Sequence, residues 1–309
     1  MPSVKFDTEA EVTTDGNGTA IFHEVPLTSE DIINCSYSQW YSKFSKHVYG
    51  KVEILKPIPK EFIEYLDSDD FTLPKDTPFH KIEPNSDNEY SDWEDDDEDD
   101  GKAKGGDHDK ITAQTKSTKP DPTLKFQSFH SQIKSVFEKF KKVAPKLNWS
   151  APQDATWMTV NKTMQCHTPS ELYLLLKSSD YINHDLHHAF DGIELDSKLQ
   201  QSSTIEPELV LRQWKDINPS TEFRCFVRDR QLIAISQRDL NHYTFLEEMQ
   251  DDILDSICLF FEDVLMTKFD SNSFVFDVYL PKPFNKVYLI DVNPFARKTD
   301  PLCGVKISH

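Results

Sequence analysis

Three oxygen-bearing side chains near the end of the chain have the spacing of a cation site. Residues 272–298 contain two strand-like runs joined by a turn with proline and asparagine, which predicts a β-hairpin. Because successive strand side chains point to opposite faces, Asp277 on the first strand and Asp291 and Asn293 on the second can converge on one face. Two neighbouring carboxylates repel each other unless a proton or a cation lies between them. Mg²⁺ takes such oxygen ligands and completes its shell with water and phosphate, so we expect a Mg²⁺–nucleotide site.

The same residues allow a simpler interpretation, in which Asp291 and Asn293 only end a strand before Pro294. The strand alternation also predicts that Leu289 lies on the face of Asp291, and that Ile290 lies on the opposite face. Spacing alone leaves both interpretations of the carboxylates open.

A nucleotide site also needs positive charge for the phosphates. The chain has only 8 glycines, and no glycine-rich phosphate loop stands between a strand and a helix, so side chains must supply this charge. Four basic residues lie in or beside predicted strands: Lys146, Arg212, Arg224 and Arg238. Internal ion pairs are the alternative, because Glu222 shares a strand face with Arg224, and Asp239 follows Arg238. Combined with the three oxygen ligands, the basic set favours an anion–metal site.

The charge of the chain is uneven. The 309 residues carry a formal net charge of −19, and more than half of it comes from residues 82–101, which contain Asp and Glu but no Lys or Arg. The acidic balance disfavours general nucleic-acid binding.

The cysteines and the hydropathy indicate a cytosolic protein, with access to the nucleus. Five cysteines lie far apart without a CxxC pair, which excludes a zinc ribbon. Their odd number and the lack of a signal peptide are typical of a reducing compartment. The sequence contains no apolar run of about 18 residues, so it predicts no membrane span.

Hydrophobic periodicity predicts a mixed α/β chain. One helix is predicted to begin at Ser29. Four more are predicted at residues 60–66, 126–143, 169–178 and 247–269. Predicted strands cover residues 51–55, 155–160, 208–214, 222–227 and 231–237, in addition to the hairpin. We interpret the histidines at 184, 187 and 188 as surface residues rather than metal ligands.

Two segments lack the apolar content of a folded core. Residues 1–27 are polar and predict a flexible extension, although the apolar run 20–25 is a candidate strand. Residues 73–122 combine proline, serine and the acidic run, and predict a disordered insertion.

The order of strands, basic residues and an Asp…Asp-x-Asn set resembles an ATP-grasp fold. More specifically, KLNWSAP (146–152), ELVLRQW (208–214), EFRCFV (222–227), FVFDVY (274–279) and DVNPFARKTD (291–300) closely resemble the cell-division-cycle protein 123 family. The match covers most of residues 34–300 in order. It implies an α+β, ATP-grasp-like fold with two α/β subdomains, residues 28–205 and 206–309, and a nucleotide cleft between them.

The resemblance implies ATP and Mg²⁺ as cofactors and a role for each matched residue. Lys146, Arg224 and Arg238 would contact phosphates, while Glu222 and Asp239 would orient these bases or the ribose. Asp277, Asp291 and Asn293 would hold Mg²⁺. The nucleotide cleft would be lined by Trp149, Ala151, Gln153, Arg212, Gln213 and Trp214.

The resemblance further implies an assembly chaperone without a catalytic residue. Its client would be the gamma subunit of eukaryotic translation initiation factor two, bound through the C-terminal domain of that subunit. The chaperone would be a cytoplasmic monomer without nucleic-acid or membrane partners. After Leu302 the sequence ends in CGVKISH and departs from the family pattern, so a client contact of that segment is expected to be lost.

Two other functions remain open from the sequence. One is an ATP-grasp ligase or kinase that acts on an unidentified carboxylate or hydroxyl substrate. The other is an interaction protein with a vestigial nucleotide site, against which the intact charged residues argue.

Overall fold

The computed structural model describes residues 27–296 except 71, 76–119, 192 and 194–204, together with residue 299. The predicted flexible extension, nearly all of the predicted disordered insertion and the divergent C-terminal segment lie outside the described residues. All further structural statements concern the described part of the chain.

Eight helices and seven strands form the body of the described chain. The helices are α1 (Ser29–Asn34), α2 (Tyr37–Phe44), α3 (Lys60–Asp67), α4 (Gln127–Phe140), α5 (Pro169–Lys177), α6 (Asp180–His187), α7 (Thr244–Glu248) and α8 (Gln250–Phe260). The strands are β1 (Val52–Leu55), β2 (Val143–Lys146), β3 (Leu209–Gln213), β4 (Glu222–Arg228), β5 (Gln231–Gln237), β6 (Phe274–Tyr279) and β7 (Tyr288–Pro294).

Helix starts follow the capping residues in the sequence. Thr28 and Asp31 form a reciprocal capping box at the start of α1, which begins at Ser29 as predicted. The Thr168 hydroxyl accepts a hydrogen bond from the Glu171 N–H, and a proline occupies the first position of α5. These caps satisfy N–H groups that a helix leaves without an internal partner.

The strands form two antiparallel sheets. The first has the order β1-β3-β2, and the second has the order β5-β4-β6-β7. β4 and β5 are joined by a tight hairpin in which Asp229 and Arg230 both have positive φ, as a type I′ turn requires. β3 is the central strand of the first sheet, although the predicted subdomain division at residues 205 and 206 assigns it to the second subdomain.

Each sheet covers its own hydrophobic core. Leu209 and Leu211 of β3 belong to the first core with α3, α4 and α5, whereas Val210 points to the opposite face and belongs to the second. The helices α1 and α2 contact β7, and α2 contributes Tyr37, Trp40 and Phe44 to the second core. A hydrogen bond of 3.1 Å from Asn34 Nδ2 to Ser271 Oγ closes this contact. The mixed α+β architecture predicted from the sequence is confirmed.

Three predicted elements differ from the structure. The strand predicted at 155–160 is wrong, since Gln153–Met158 forms a 3₁₀-helix directly after Pro152 and buries only Ala155. The helix predicted at 126–143 ends at Phe140, and Val143 begins β2.

The helix predicted at 247–269 is also interrupted. It breaks at Met249 between α7 and α8 and ends in a π-turn, Phe261–Leu265. There the Met266 N–H donates to the Phe261 carbonyl at 2.8 Å, five residues back. Phe261 and Leu265 both lie in the second core, as their i, i+4 spacing in the predicted helix implies.

Within the described residues, no helix combines the length and the apolar character that crossing a membrane requires. The cysteines at 35, 166, 225 and 258 are free thiols.

Candidate functional site

The hairpin of β6 and β7 brings the predicted oxygen ligands to one face. Asp277 lies directly opposite Asp291, and Asn293 lies opposite Val275 on the same side. A β-bulge follows, because Val278 pairs with Leu289 and leaves Ile290 as an extra residue. The bulge turns Leu289 into the second core, so its predicted position on the face of Asp291 is wrong.

Asp277 is held by two arginines from neighbouring strands. Arg224 lies opposite it on β4 and donates Nε to Oδ1 at 2.7 Å and Nη2 to Oδ2 at 2.8 Å. Arg238, which follows β5, donates Nη1 to the same Oδ2. Asp277 is 1 % exposed, and these positive charges compensate for the burial of its carboxylate.

Lys146 connects the first sheet to the second. It is the last residue of β2, it is 4 % exposed, and its Nζ donates to Asp291 Oδ2 at 2.9 Å. The same ammonium group donates to the Trp149 carbonyl, which fixes the turn that follows the strand. The predicted phosphate-binding lysine thus reaches the predicted metal ligands from the opposite sheet.

The ligand set fits a hard cation in part. Asp291 Oδ1 is buried without a hydrogen-bond partner, while Asn293 donates its Nδ2 to Asp291 Oδ2 at 3.4 Å. An unpaired buried carboxylate oxygen beside an amide is chemistry that suits Mg²⁺. Asp277 is already engaged by two guanidinium groups. No group of three or more His, Cys, Asp or Glu side chains lies together as a metal cluster in the described part of the chain.

Glu222 lies at the edge of this charged cluster. Its carboxylate is 3.8 Å from Arg238 Nε. Desolvation raises the pKa of the Glu222 carboxyl, while Arg238 lowers it and Asp277 raises it further. The predicted shared face of Glu222 and Arg224 agrees with the register, in which they oppose Tyr279 and Asp277.

Arg212 is a cation of the site that has no anionic partner among the described residues. It lies on β3 opposite Val52 and Ala144 and is half-buried. Its guanidinium makes no hydrogen bond or ion pair to any described residue, whereas its charge lowers the pKa values of Tyr37 and Glu222. A positive group between the sheets is therefore available to an anion.

Several predicted cleft residues contribute little or differ in orientation. Asp239 turns into its own loop, where it accepts hydrogen bonds from Asn241 and from the Tyr243 hydroxyl at 2.6 Å, which lower the pKa of its carboxyl. The Trp214 indole donates to Asp216 at 3.0 Å. Gln213, Ala151 and Gln153 make backbone hydrogen bonds, and Gln153 is exposed.

Asp185 is a residue of this region that the sequence does not reveal. From α6 it accepts hydrogen bonds from the Trp149 N–H at 3.0 Å, the Ser150 N–H at 2.6 Å and the Ser150 hydroxyl at 2.7 Å. The Trp149 indole donates to the Ile32 carbonyl at 2.8 Å. The loop after Lys146 is thereby fixed from two sides, and no local motif around Asp185 signals this contact.

The structure thus defines a mixed α+β protein with a cluster of charged residues between two antiparallel sheets. The chain belongs to the D123 family, whose model matches residues 40–303.

Two similar proteins support this membership. The translation initiation factor eIF2 assembly protein of Vanderwaltozyma polyspora is 48% identical over 90% of this chain and 74% of its own length. The cell division cycle protein 123 of Candida glabrata is 46% identical over 92% of this chain and 77% of its own length. The structure of Cdc123 from Schizosaccharomyces pombe is similar with a TM-score of 0.67 and 33% identity, over 90% of each chain.

Proposed function

We propose that this protein is an ATP- and Mg²⁺-binding chaperone that promotes assembly of eukaryotic translation initiation factor two by binding its gamma subunit. The relative from Vanderwaltozyma polyspora is an eIF2 assembly protein, which supports the assembly role. The cleft between the two sheets supports the nucleotide.

The observation that carries the proposal is a pair of unsatisfied groups in the cleft. Arg212 has no anionic partner among the described residues, and Asp291 Oδ1 is buried without any hydrogen bond. A buried carboxylate oxygen without a partner is rare in a folded protein, and the half-buried Arg212 lies in the same charged region. One is a cation and the other is an oxygen, so a ligand that carries both negative charge and a metal ion satisfies both.

Each charged residue has a role with this ligand. Lys146, Arg224, Arg238 and Arg212 stabilise the phosphate charges, and the aromatic side chain of Trp149 lines the cleft. Asp291 and Asn293 hold Mg²⁺, with Asp277 beside them in an ion pair with the arginines. When bound, Mg²⁺ neutralises phosphate oxygens and links them to the carboxylates.

The client contact is the second part of the proposal. The gamma subunit binds through its C-terminal domain, and the reaction takes place in the cytoplasm, where translation initiation factors act. The chaperone itself is a monomer in an ATP-grasp-like fold.

Calorimetry of ATP with and without Mg²⁺ tests the nucleotide site, and a pull-down of the isolated gamma subunit tests the client. We expect Mg²⁺-dependent ATP binding and capture of gamma. Absence of ATP binding at millimolar concentration would contradict the first part, and absence of gamma capture would contradict the second. Mass spectrometry of ATP and candidate acceptors after incubation distinguishes a chaperone from a ligase or kinase.

A further inference from the structure

Tyr37 lies beside the turn that follows Lys146 and is not among the predicted site residues. It is the first residue of α2, and its N–H donates to the Asn148 carbonyl at 2.8 Å. Asn148 belongs to the turn that carries Lys146. The Tyr37 ring packs 4.4 Å from the Trp40 ring and 5.6 Å from the Tyr41 ring, between centroids. The position of Tyr37 is therefore fixed from both the backbone and the ring.

The Tyr37 hydroxyl is fully buried and has no hydrogen-bond partner in the described part of the chain. The Trp40 Nε1, three residues further along α2, is likewise buried and unpartnered. A buried hydroxyl without a partner costs about 1–3 kcal/mol relative to a satisfied one, and folded proteins contain few of them. Such a group indicates an atom that binds there.

Two of the charged groups that act on the hydroxyl, Arg212 and Asp291, belong to the predicted site. Burial is the main cause that raises the pKa of Tyr37, while Arg212 lowers it and Asp291 and Glu208 raise it. Asp291 carries the second unpartnered atom of the region, Oδ1. A buried donor on α2 and a buried acceptor on β7 thus lie in one electrostatic neighbourhood, and α2 packs directly against β7.

We propose that Tyr37 is a further binding residue of the cleft, whose hydroxyl donates a hydrogen bond to an oxygen atom of the bound metal–nucleotide complex beside Asp291. The inference rests on the proposed function and deepens it. The accepting oxygen belongs either to a water molecule of the Mg²⁺ shell or to a phosphate. Both accept a hydrogen bond from a hydroxyl, and Mg²⁺ normally retains several waters.

Tyr37→Phe isolates the hydroxyl because phenylalanine retains the ring that packs against Trp40 and Tyr41. Without ligand, the variant should have an unchanged or higher melting temperature, since it removes an unsatisfied polar atom. Its affinity for the Mg²⁺–ATP complex should fall about fivefold to tenfold through loss of one hydrogen bond. A hydroxyl with only a structural role would not combine an unchanged melting temperature with a loss of ATP affinity.

Tyr173→Phe is the matched control. The Tyr173 hydroxyl is also buried, but it lies 2.7 Å from His130 Nδ1 in the first core. This variant should lower the melting temperature and leave ATP affinity unchanged.

The experiment is isothermal calorimetry of wild type and both variants with Mg²⁺ alone, with ATP and EDTA, and with ATP and Mg²⁺. A loss in the Mg²⁺-only arm identifies a metal-bound water, and a loss confined to the arms with ATP identifies a phosphate oxygen. If wild type binds no ATP, the proposed function itself fails. If wild type binds and Tyr37→Phe binds equally well, this inference is overturned while the proposed function stands. A lower melting temperature of ligand-free Tyr37→Phe also overturns it, because the hydroxyl is then satisfied within the protein.

Discussion

The Nζ of Lys146 and the Oδ2 of Asp291 lie 2.9 Å apart, although the two residues belong to different sheets. In the ligand-free protein, the predicted phosphate-binding lysine therefore neutralises a predicted metal ligand. Arg238, another predicted phosphate-binding residue, likewise neutralises the predicted metal ligand Asp277. These two carboxylates are neutralised by basic residues of the protein, so the proposed ligand would exchange these ion pairs for contacts with phosphate and metal.

Asp291→Ala should destabilise the protein by about 2 kcal/mol, because it leaves the buried Lys146 ammonium without a carboxylate. Adding Lys146→Met should recover part of this loss, since the uncompensated charge is removed. Urea unfolding of wild type, both single variants and the double variant measures the coupling. Strictly additive effects would show that the ion pair does not stabilise the fold.

The two arginines on Asp277 should differ in effect because they differ in burial. The side chain of Arg224 is 9% exposed and makes two hydrogen bonds, whereas that of Arg238 is 23% exposed and makes one. Arg224→Met should cost about 3 kcal/mol of folding free energy. Arg238→Met should cost about 1 kcal/mol or less, because Asp277 keeps both bonds to Arg224.

Chemical denaturation compares the two arginine variants, and calorimetry then measures ATP binding by the folded Arg238→Met protein. We expect weaker binding, as a phosphate contact is lost. Equal unfolding free energies for the two variants would contradict the assigned difference in burial.

Arg212→Met should leave the unfolding free energy within about 0.5 kcal/mol of wild type, because the guanidinium has no partner to lose. Its ATP affinity should fall roughly tenfold, or about 1.4 kcal/mol. Arg228→Met is the matched control, since Arg228 is an exposed arginine on β4 whose only described ion pair is with Asp229 at 3.6 Å. A similar affinity loss in both variants would indicate a general charge effect rather than a contact of Arg212.

The pH dependence of the unfolding free energy should show the contribution of the Asp185 carboxyl. Burial raises the pKa of this carboxyl above the usual 3.8. The hydrogen bonds from Ser150 and Trp149 and the charge of Lys146 lower this pKa, but burial has the larger effect. The folded state then holds the proton more tightly than the unfolded chain. The contribution of Asp185 is therefore fully present below the unfolded pKa and is lost as the pH rises through the folded pKa.

Asp185→Asn does not titrate, so the stability advantage of wild type over this variant should shrink between about pH 4 and pH 7. Denaturant unfolding of both proteins across this range measures the difference. An advantage that grows with pH would mean that the ionised carboxylate is the favoured form in the fold.

Replacing residues 76–119 by a short glycine–serine linker should retain the fold. The Lys75 N–H donates to Asp121 Oδ2 at 3.0 Å, so the two ends of this segment already meet. The entropy of closing a connection changes only slowly with its length. Melting temperature and ATP affinity should both remain close to wild type, and a large loss of affinity would place the segment in the cleft.

The convergence of Asp277, Asp291 and Asn293 could be predicted from sequence because strand side chains alternate with a period of two. The bulge at Ile290 could not, since it depends on how two strands pair rather than on either strand alone. It moves Leu289 into the core and leaves Asp291 in place. One extra residue thus decides which side chains share the face of the site.

Long-range contacts explain the rest of what the sequence did not predict. Asp185 reaches Trp149 across 36 residues, and Tyr37 reaches the turn at Asn148 through a backbone hydrogen bond. Neither lies in a motif of its own. The sequence predicts a strand at 155–160, where the structure has a 3₁₀-helix at 153–158, because a few apolar residues fit more than one structure.

The packing of α1 and α2 against the last two strands has a consequence for synthesis of the chain. Asn34 and Ser271, which join these parts, are 237 residues apart in sequence. The first helices to leave the ribosome are therefore without their apolar counterpart until β6 and β7 have been made. The second core is incomplete until β6 and β7 have been made, so a nascent chain stalled before residue 271 lacks the strand that α2 contacts.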